Sequence, residues 1–173
     1  MALQIAAIGL VIGLLPLLFW LTWLLQGNVL RLEAGLGEFG IIIGTIIITV
    51  LVHEWVHGVV YWLLGYQVTY GASLRLMAAY AAAFEQFQQR SHNLLVALAP
   101  LIVINGTLLP LLAIPQPLVT LTVFTALLFN SSGAVADLYL TWRLLRLPRA
   151  TLLYDVDPKT MLIFLPIIEK NAT

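Results

Sequence analysis

Four long apolar stretches, at about residues 2–25, 39–64, 94–114 and 117–147, leave this chain few ways to fold. Each reaches the ~20 residues that a helix rising 1.5 Å per residue needs to cross about 30 Å of hydrocarbon. The rest of the 173 residues cannot cover so much apolar surface. The sequence is 61% hydrophobic and 9% charged, with a mean hydropathy of +1.00, against about 45–50% apolar and about 25% charged in soluble domains. A water-soluble enzyme and a disordered regulator are both excluded by that balance. The expected fold class is an all-α polytopic membrane protein of about four transmembrane helices. Eight basic residues balance eight acidic ones, so no net positive charge speaks for nucleic acid. The absence of Cys excludes disulfides and Cys-based metal sites.

The first stretch has no basic leader and no small-residue cleavage site, so it reads as a retained span, kinked at Pro16. Arg143, Arg146, Arg149, Lys159 and Lys170 follow the fourth stretch. Arg75 and Arg90 lie between the second and third, and Arg31, balanced by Glu33 and Glu38, lies between the first and second. The positive-inside rule then puts both termini and segment 65–91 in the cytoplasm, with the protein in the cell membrane. No repeat or linker divides the chain, and residues 1–173 read as a single domain with a tail at 148–173. Segment 65–91 alternates apolar residues (Tyr66, Val68, Tyr70; Ala72, Leu74, Leu76) between Gly65 and Gly71, which predicts short strands at the membrane boundary. A second extended piece is expected near 79–84, another at 150–156, and a turn at Asp157–Pro158.

Ionisable groups are costly in lipid, by at least ~2.5–3.5 kcal/mol for a charge at mid-helix, and they face a bundle interior or a wet cavity. The second stretch nevertheless carries His53-Glu54-Trp55-Val56-His57. Histidines at i and i+4 share one helix face and can bind one Zn²⁺. The Glu after the first His, about 100° round the helix, can reach a metal-bound water as general base without itself ligating. With three His and five Glu in the chain, composition alone gives roughly 0.001–0.002 matches to this pattern. The bland alternative, two packing histidines with Glu54 as a buried partner, offers no reason for three costly groups on one turn. Thr45 and Thr49 continue the same i+4 stripe, and Gly40 and Gly44 form a GxxxG that permits close helix contact.

Two histidines leave a tetrahedral metal short of a protein ligand, and the candidates are His92 and Asp137. His57 lies about 12 Å of helix before the cytoplasmic end of its span, and Asp137 about 9 Å before Arg143, so the two share a depth. A metal is sufficient reason for a carboxylate there. The alternative, an Asp137–Arg143 ion pair, puts its partners six residues apart on different faces. His92, at the polar start of the third stretch, reads as interfacial. Ahead of Asp137 comes Asn130-Ser131-Ser132-Gly133, a polar patch able to loosen the helix and admit water or substrate. Asn130 is the candidate hydrogen-bond donor to substrate or to a developing oxyanion, with Asn105 a second candidate whose other role would be interhelical packing.

HExxH in the second stretch, an Asp late in the fourth after Asn-Ser-Ser-Gly, and Leu98-Ala99-Pro100 in the third together resemble the zincin membrane peptidases, small relatives of the site-2 intramembrane metalloproteases. The resemblance covers about residues 39–158. It implies zinc held by His53, His57 and Asp137, Glu54 as the activator of water, and a membrane-associated sheet in segment 65–91. Site-2 proteases carry their Asp in an Asn-Pro-Asp-Gly type motif, where this chain has Ala136-Asp137-Leu138.

The expected function is zinc-dependent hydrolysis of a peptide bond in a membrane-protein or membrane-peptide substrate. The alternative is a non-catalytic membrane chaperone, adaptor or inactive protease homologue that retains the metal site. A metal transporter would need ligands spread along a pathway, and a haem needs ligands on its two opposite sides. Neither fits ligands clustered on one helix face.

Overall fold

The computed structural model describes residues 2–27, 35–73 and 78–166. Arg31, Glu33, Leu74, Arg75, Leu76 and Lys170, which enter the arguments on topology and strands, lie outside them. Five helices and five short strands follow in the order α1 (Ala2–Gln26), α2 (Leu36–Leu63), β1 (Thr69–Ser73), β2 (Ala78–Ala82), β3 (Phe87–Gln89), α3 (Arg90–Leu108), α4 (Pro117–Gly133), α5 (Val135–Leu145), β4 (Leu152–Asp157) and β5 (Thr160–Phe164). A 3-10 turn, Leu109–Ala113, extends α3.

Three helical segments, Gln4–Gln26, Leu36–Leu63 and Arg90–Ala113, are long and apolar enough to cross a membrane. The fourth apolar stretch, expected as one helix over 117–147, is a pair instead: α4 and α5 meet at Ala134 with a bend of 40° and amount to a fourth span only if taken together. Gly133 ends α4, and the polar Asn130-Ser131-Ser132 turn before it weakens the apolar hold on a straight continuation. Pro117 starts α4 at a position where a missing N–H costs nothing. α1 runs through Pro16 without a break.

Burial on α2 is inverted relative to a soluble helix. Thr45, Thr49, His53, Val56, His57, Gly58 and Tyr61 are buried, whereas Ile47, Ile48, Leu51, Trp55 and Trp62 are exposed. Such a helix would lose heavily in water, where apolar area is worth about 25 cal/mol per Å² buried. In hydrocarbon the outward isoleucines cost nothing and the inward polar groups find partners. α2 packs on both α3 and α4. α1 leans on α4 through Leu18, Leu112, Val123, Leu127 and Leu128. Gln26, at the end of α1, donates to the carbonyls of Leu112 and Ile114 and to Thr120 Oγ1, closing that end of the bundle. Gly40 and Gly44 do not mediate a close helix contact within the described chain, since a Cβ on either would meet nothing within 4 Å.

The strands form two sheets rather than one segment between α2 and α3. β1 and β2 make an antiparallel hairpin with Tyr70 opposite Ala81 and Ala72 opposite Ala79. β3 is the edge of an antiparallel sheet ordered β3-β4-β5, with Phe87 opposite Tyr154 and Leu153 opposite Ile163. The tail at 148–173 therefore supplies the sheet's centre. A buried polar cluster locks it down: Gln88 Nε2 donates to Ala83 O at 2.8 Å and to Asp155 Oδ2 at 2.9 Å, and its Oε1 accepts from Asn93 Nδ2 at 2.8 Å. Gln88 is fully buried, so its side chain satisfies three groups that would otherwise be left unpaired.

Candidate metal centre

The helical repeat of α2 stacks His53 and His57 on its buried face, with the ring centroids 4.8 Å apart and the planes edge to face. The turn of chain at Ala134 then brings Asp137, in the first turn of α5, against them. Asp137 Oδ2 lies 3.2 Å from His53 Nε2 and 3.5 Å from His57 Nε2. One ligand atom from each of the three residues falls within 4.8 Å of the others, and both histidines are buried.

The far side of each ring decides what this cluster can hold. His57 Nδ1 is 2.9 Å from Val96 O, and a carbonyl only accepts, so that nitrogen carries the hydrogen. His53 Nδ1 is 2.9 Å from Asn130 Oδ1. The orientation of the Asn130 amide is fixed in turn, because its Nδ2 donates to Pro100 O at 3.2 Å and to Asn105 Oδ1 at 2.9 Å. Asn105 Nδ2 continues the chain to Ser131 Oγ at 2.8 Å. An imidazole that is neutral at either position is therefore the Nδ1–H tautomer, with its Nε2 lone pair toward the carboxylate. Three acceptors so aimed are satisfied by a shared cation, whether a metal ion or a proton between imidazole and carboxylate.

A Zn²⁺ ion fits this donor set. Ligands at 2.0–2.1 Å in a tetrahedron are separated by about 3.3 Å, and the 3.2 and 3.5 Å approaches of Asp137 fall on either side of that figure. The bonds from each ring to Val96 O and Asn130 Oδ1 are of the kind that hold metal-binding histidines in tautomer and orientation. Asn130 thus does not offer a donor to substrate in this arrangement: both of its N–H groups are taken, it is 1% exposed, and its carbonyl oxygen serves His53. Asn105 is likewise spent on Asn130 and Ser131.

Glu54 sits beside the cluster without joining it. Its Oε2 accepts the backbone N–H of Ala81 at 2.9 Å, tying α2 to β2. A cavity of about 390 Å³ is lined by His53, Glu54, His57, Asp137, Tyr61, Asn93 and Pro158 among others. A second cavity of about 230 Å³ shares His53, Glu54, Ala79 and Gly133 with it. Glu54 therefore lines both cavities.

Residues 46–152, well over half of the chain, match the protein family described as "Putative zincin peptidase". The chain belongs to that family. For a family member of this description the implied metal is zinc and the implied chemistry peptide hydrolysis. No curated protein and no solved structure matches the chain.

His92 takes no part in the cluster; in the first turn of α3 its Nδ1 meets Tyr66 OH at 2.9 Å. Nor does Arg143 pair with Asp137, since its guanidinium donates to Tyr139 OH at 3.0 Å. The supports missed by sequence reasoning are mostly main-chain: Val96 O behind His57 and Ala81 N–H on Glu54. Tyr61 had a signal, because it continues the Thr45-Thr49-His53-His57 stripe by one further turn and is buried on the same face.

Proposed function

We propose that the protein is a zinc-dependent intramembrane metalloprotease with His53, His57 and Asp137 as ligands and Glu54 as general base. The single observation that carries this is the convergence of three lone-pair donors on one point, beside a half-buried carboxylate that is not among them. Zinc, when bound, supplies a Lewis acid that polarises the scissile carbonyl and lowers the pKa of water toward about 7. Glu54 takes the proton of the attacking water and returns it to the leaving amine. The Ala81 N–H holds Glu54 in place for both transfers.

A transmembrane helix hides its peptide bonds, so a substrate must be presented extended. The edge of β2 that β1 leaves unpaired suits that task. Because the Ala81 N–H points away from β1, strand alternation turns the N–H and C=O of Ala79 the same way, and Ala79 lines both cavities with His53 and Glu54. An added strand from the substrate would pair there by β-augmentation. In this reading α1, α2, α3 and the bent α4–α5 pair cross the cell membrane, with both termini in the cytoplasm, in accord with the positive-inside distribution.

The test is detergent-purified protein assayed for zinc and for cleavage of membrane-segment peptides. About one zinc per chain, with cleavage abolished and metal retained in Glu54→Gln, supports the reading. A protein that takes up no zinc defeats it. Equal behaviour of wild type and Glu54→Gln in cells would favour the non-catalytic alternative.

A further inference from the structure

Pro100 lies in the middle of α3 and is buried, where an interior proline costs a helix both a hydrogen bond and some straightness. The bond that it cannot make is the one from residue 100 N–H to the carbonyl four residues earlier, and that carbonyl belongs to Val96. Val96 O is the acceptor that holds His57 Nδ1 at 2.9 Å. The proline ring also crowds the carbonyl of residue i−4, tilting it off the helix axis. On its other side, Pro100 O accepts Asn130 Nδ2 at 3.2 Å, and Asn130 holds His53.

We infer that Pro100 is a positioning residue for the metal centre: by lacking an N–H it releases Val96 O from α3 to fix the His57 ring with its Nε2 toward Asp137. An ordinary residue at 100 would bring its own N–H to Val96 O and compete with His57 for it. With that competition the imidazole loses its anchor, and its tautomer and angle are no longer set. The inference rests on the proposed metal site for its consequence in zinc affinity, but the His57–Val96 bond itself needs no metal.

The experiment compares wild type, Pro100→Ala and Pro100→Val, with Pro16→Ala in α1 as a proline removed far from the site. Zinc affinity is measured by competition with a chelator, the cobalt-substituted proteins are compared by visible spectra, and thermal stability is recorded alongside. Loss of an outer-shell support weakens metal binding 10–100-fold, so both Pro100 variants are expected to bind zinc about 10–100-fold more weakly and to shift the cobalt spectrum. Their thermal stability should change little, because the restored helix bond offsets the acceptor lost to the buried His57 N–H, and Pro16→Ala should bind zinc as wild type does. Rescue by the bulkier Pro100→Val alone would show that Pro100 acts by filling space and would overturn the inference. So would wild-type zinc affinity in both variants. If wild type itself takes up no zinc, the metal reading fails separately. The imidazole ¹⁵N and ¹H signals of the metal-free proteins then decide the positioning claim. A hydrogen-bonded Nδ1–H on His57 in wild type that weakens in both Pro100 variants upholds it, and identical signals refute it.

Discussion

The Ala81 N–H donates to Glu54 Oε2 at 2.9 Å, so the proposed general base is steered by the backbone of the strand on which a substrate would pair. Under the proposed function, substrate seating and proton transfer would be linked through one strand. Glu54→Gln keeps an oxygen for Ala81 but cannot take a proton. We expect cleavage to fall by about 10²–10⁴-fold, the usual worth of general acid–base catalysis, with zinc content unchanged by metal analysis.

Removing a ligand should act on the metal first. Asp137→Ala and His57→Ala are each expected to weaken zinc binding by more than about 100-fold, beyond the range of outer-shell losses, as read by chelator competition. Zinc held by Asp137→Ala as tightly as by wild type would exclude Asp137 from the ligand set.

Asn130 makes a graded prediction. Asn130→Leu removes the acceptor from His53 and strands Pro100 O and Asn105 in the interior, so zinc affinity should drop about 10–100-fold. Stability should fall as well, by about 1–3 kcal/mol per buried group left unpaired. Asn130→Asp retains the acceptor and should lose less zinc affinity than Asn130→Leu in the same titration.

The edge of β2 is tested by Ala79→Pro. Proline is tolerated on the open side of an edge strand but removes the donor that a pairing substrate would use. The expected result is a raised KM for peptide substrates, with zinc content and thermal stability close to wild type. An unchanged KM would remove β2 from the substrate path.

Asp155 sets a pH dependence in the sheet. Burial pushes its carboxyl above the ordinary 3.8, and the hydrogen bond from Gln88 only partly opposes this. A group that binds its proton more tightly in the folded state stabilises the fold at low pH, and this contribution is lost as pH rises through the raised value. Thermal stability attributable to Asp155 should therefore decline from just below pH 4 upward until the carboxyl is ionised. Asp155→Asn, still an acceptor for Gln88, should flatten that slope in melts across the same range.

Much of the candidate site is readable from α2 alone, because HExxH on a 3.6-residue repeat sets two histidines and a glutamate on adjoining faces before any tertiary contact forms. Depth favours Asp137 over His92, and in the fold it is Asp137 that lies beside the histidines while His92 pairs with Tyr66. Less legible are features whose cause is nonlocal. β3 has three residues and no periodicity of its own, so its pairing with β4 depends on a segment far along the chain. The break at Ala134 replaces a continuous apolar run with two helices, and only the polar turn before Gly133 hints at it. Asn130 illustrates a different limit. Its polarity in a span marks it as functional, but whether its oxygen or its nitrogen faces the site depends on Pro100 and Asn105 on another helix.

The sheet that joins β3 to β4 also has a bearing on biogenesis. Gln88 and Asn93 emerge from the ribosome well before Asp155, so the strand leading into α3 has no central neighbour until α4 and α5 have been made. During that interval the Phe87–Gln89 edge is open to unwanted pairing. The Gln88–Asp155 contact therefore forms only after α5 has been translated, and the cavity beside it, whose lining includes Asn93 and Pro158, is completed only when nearly the whole chain has been made.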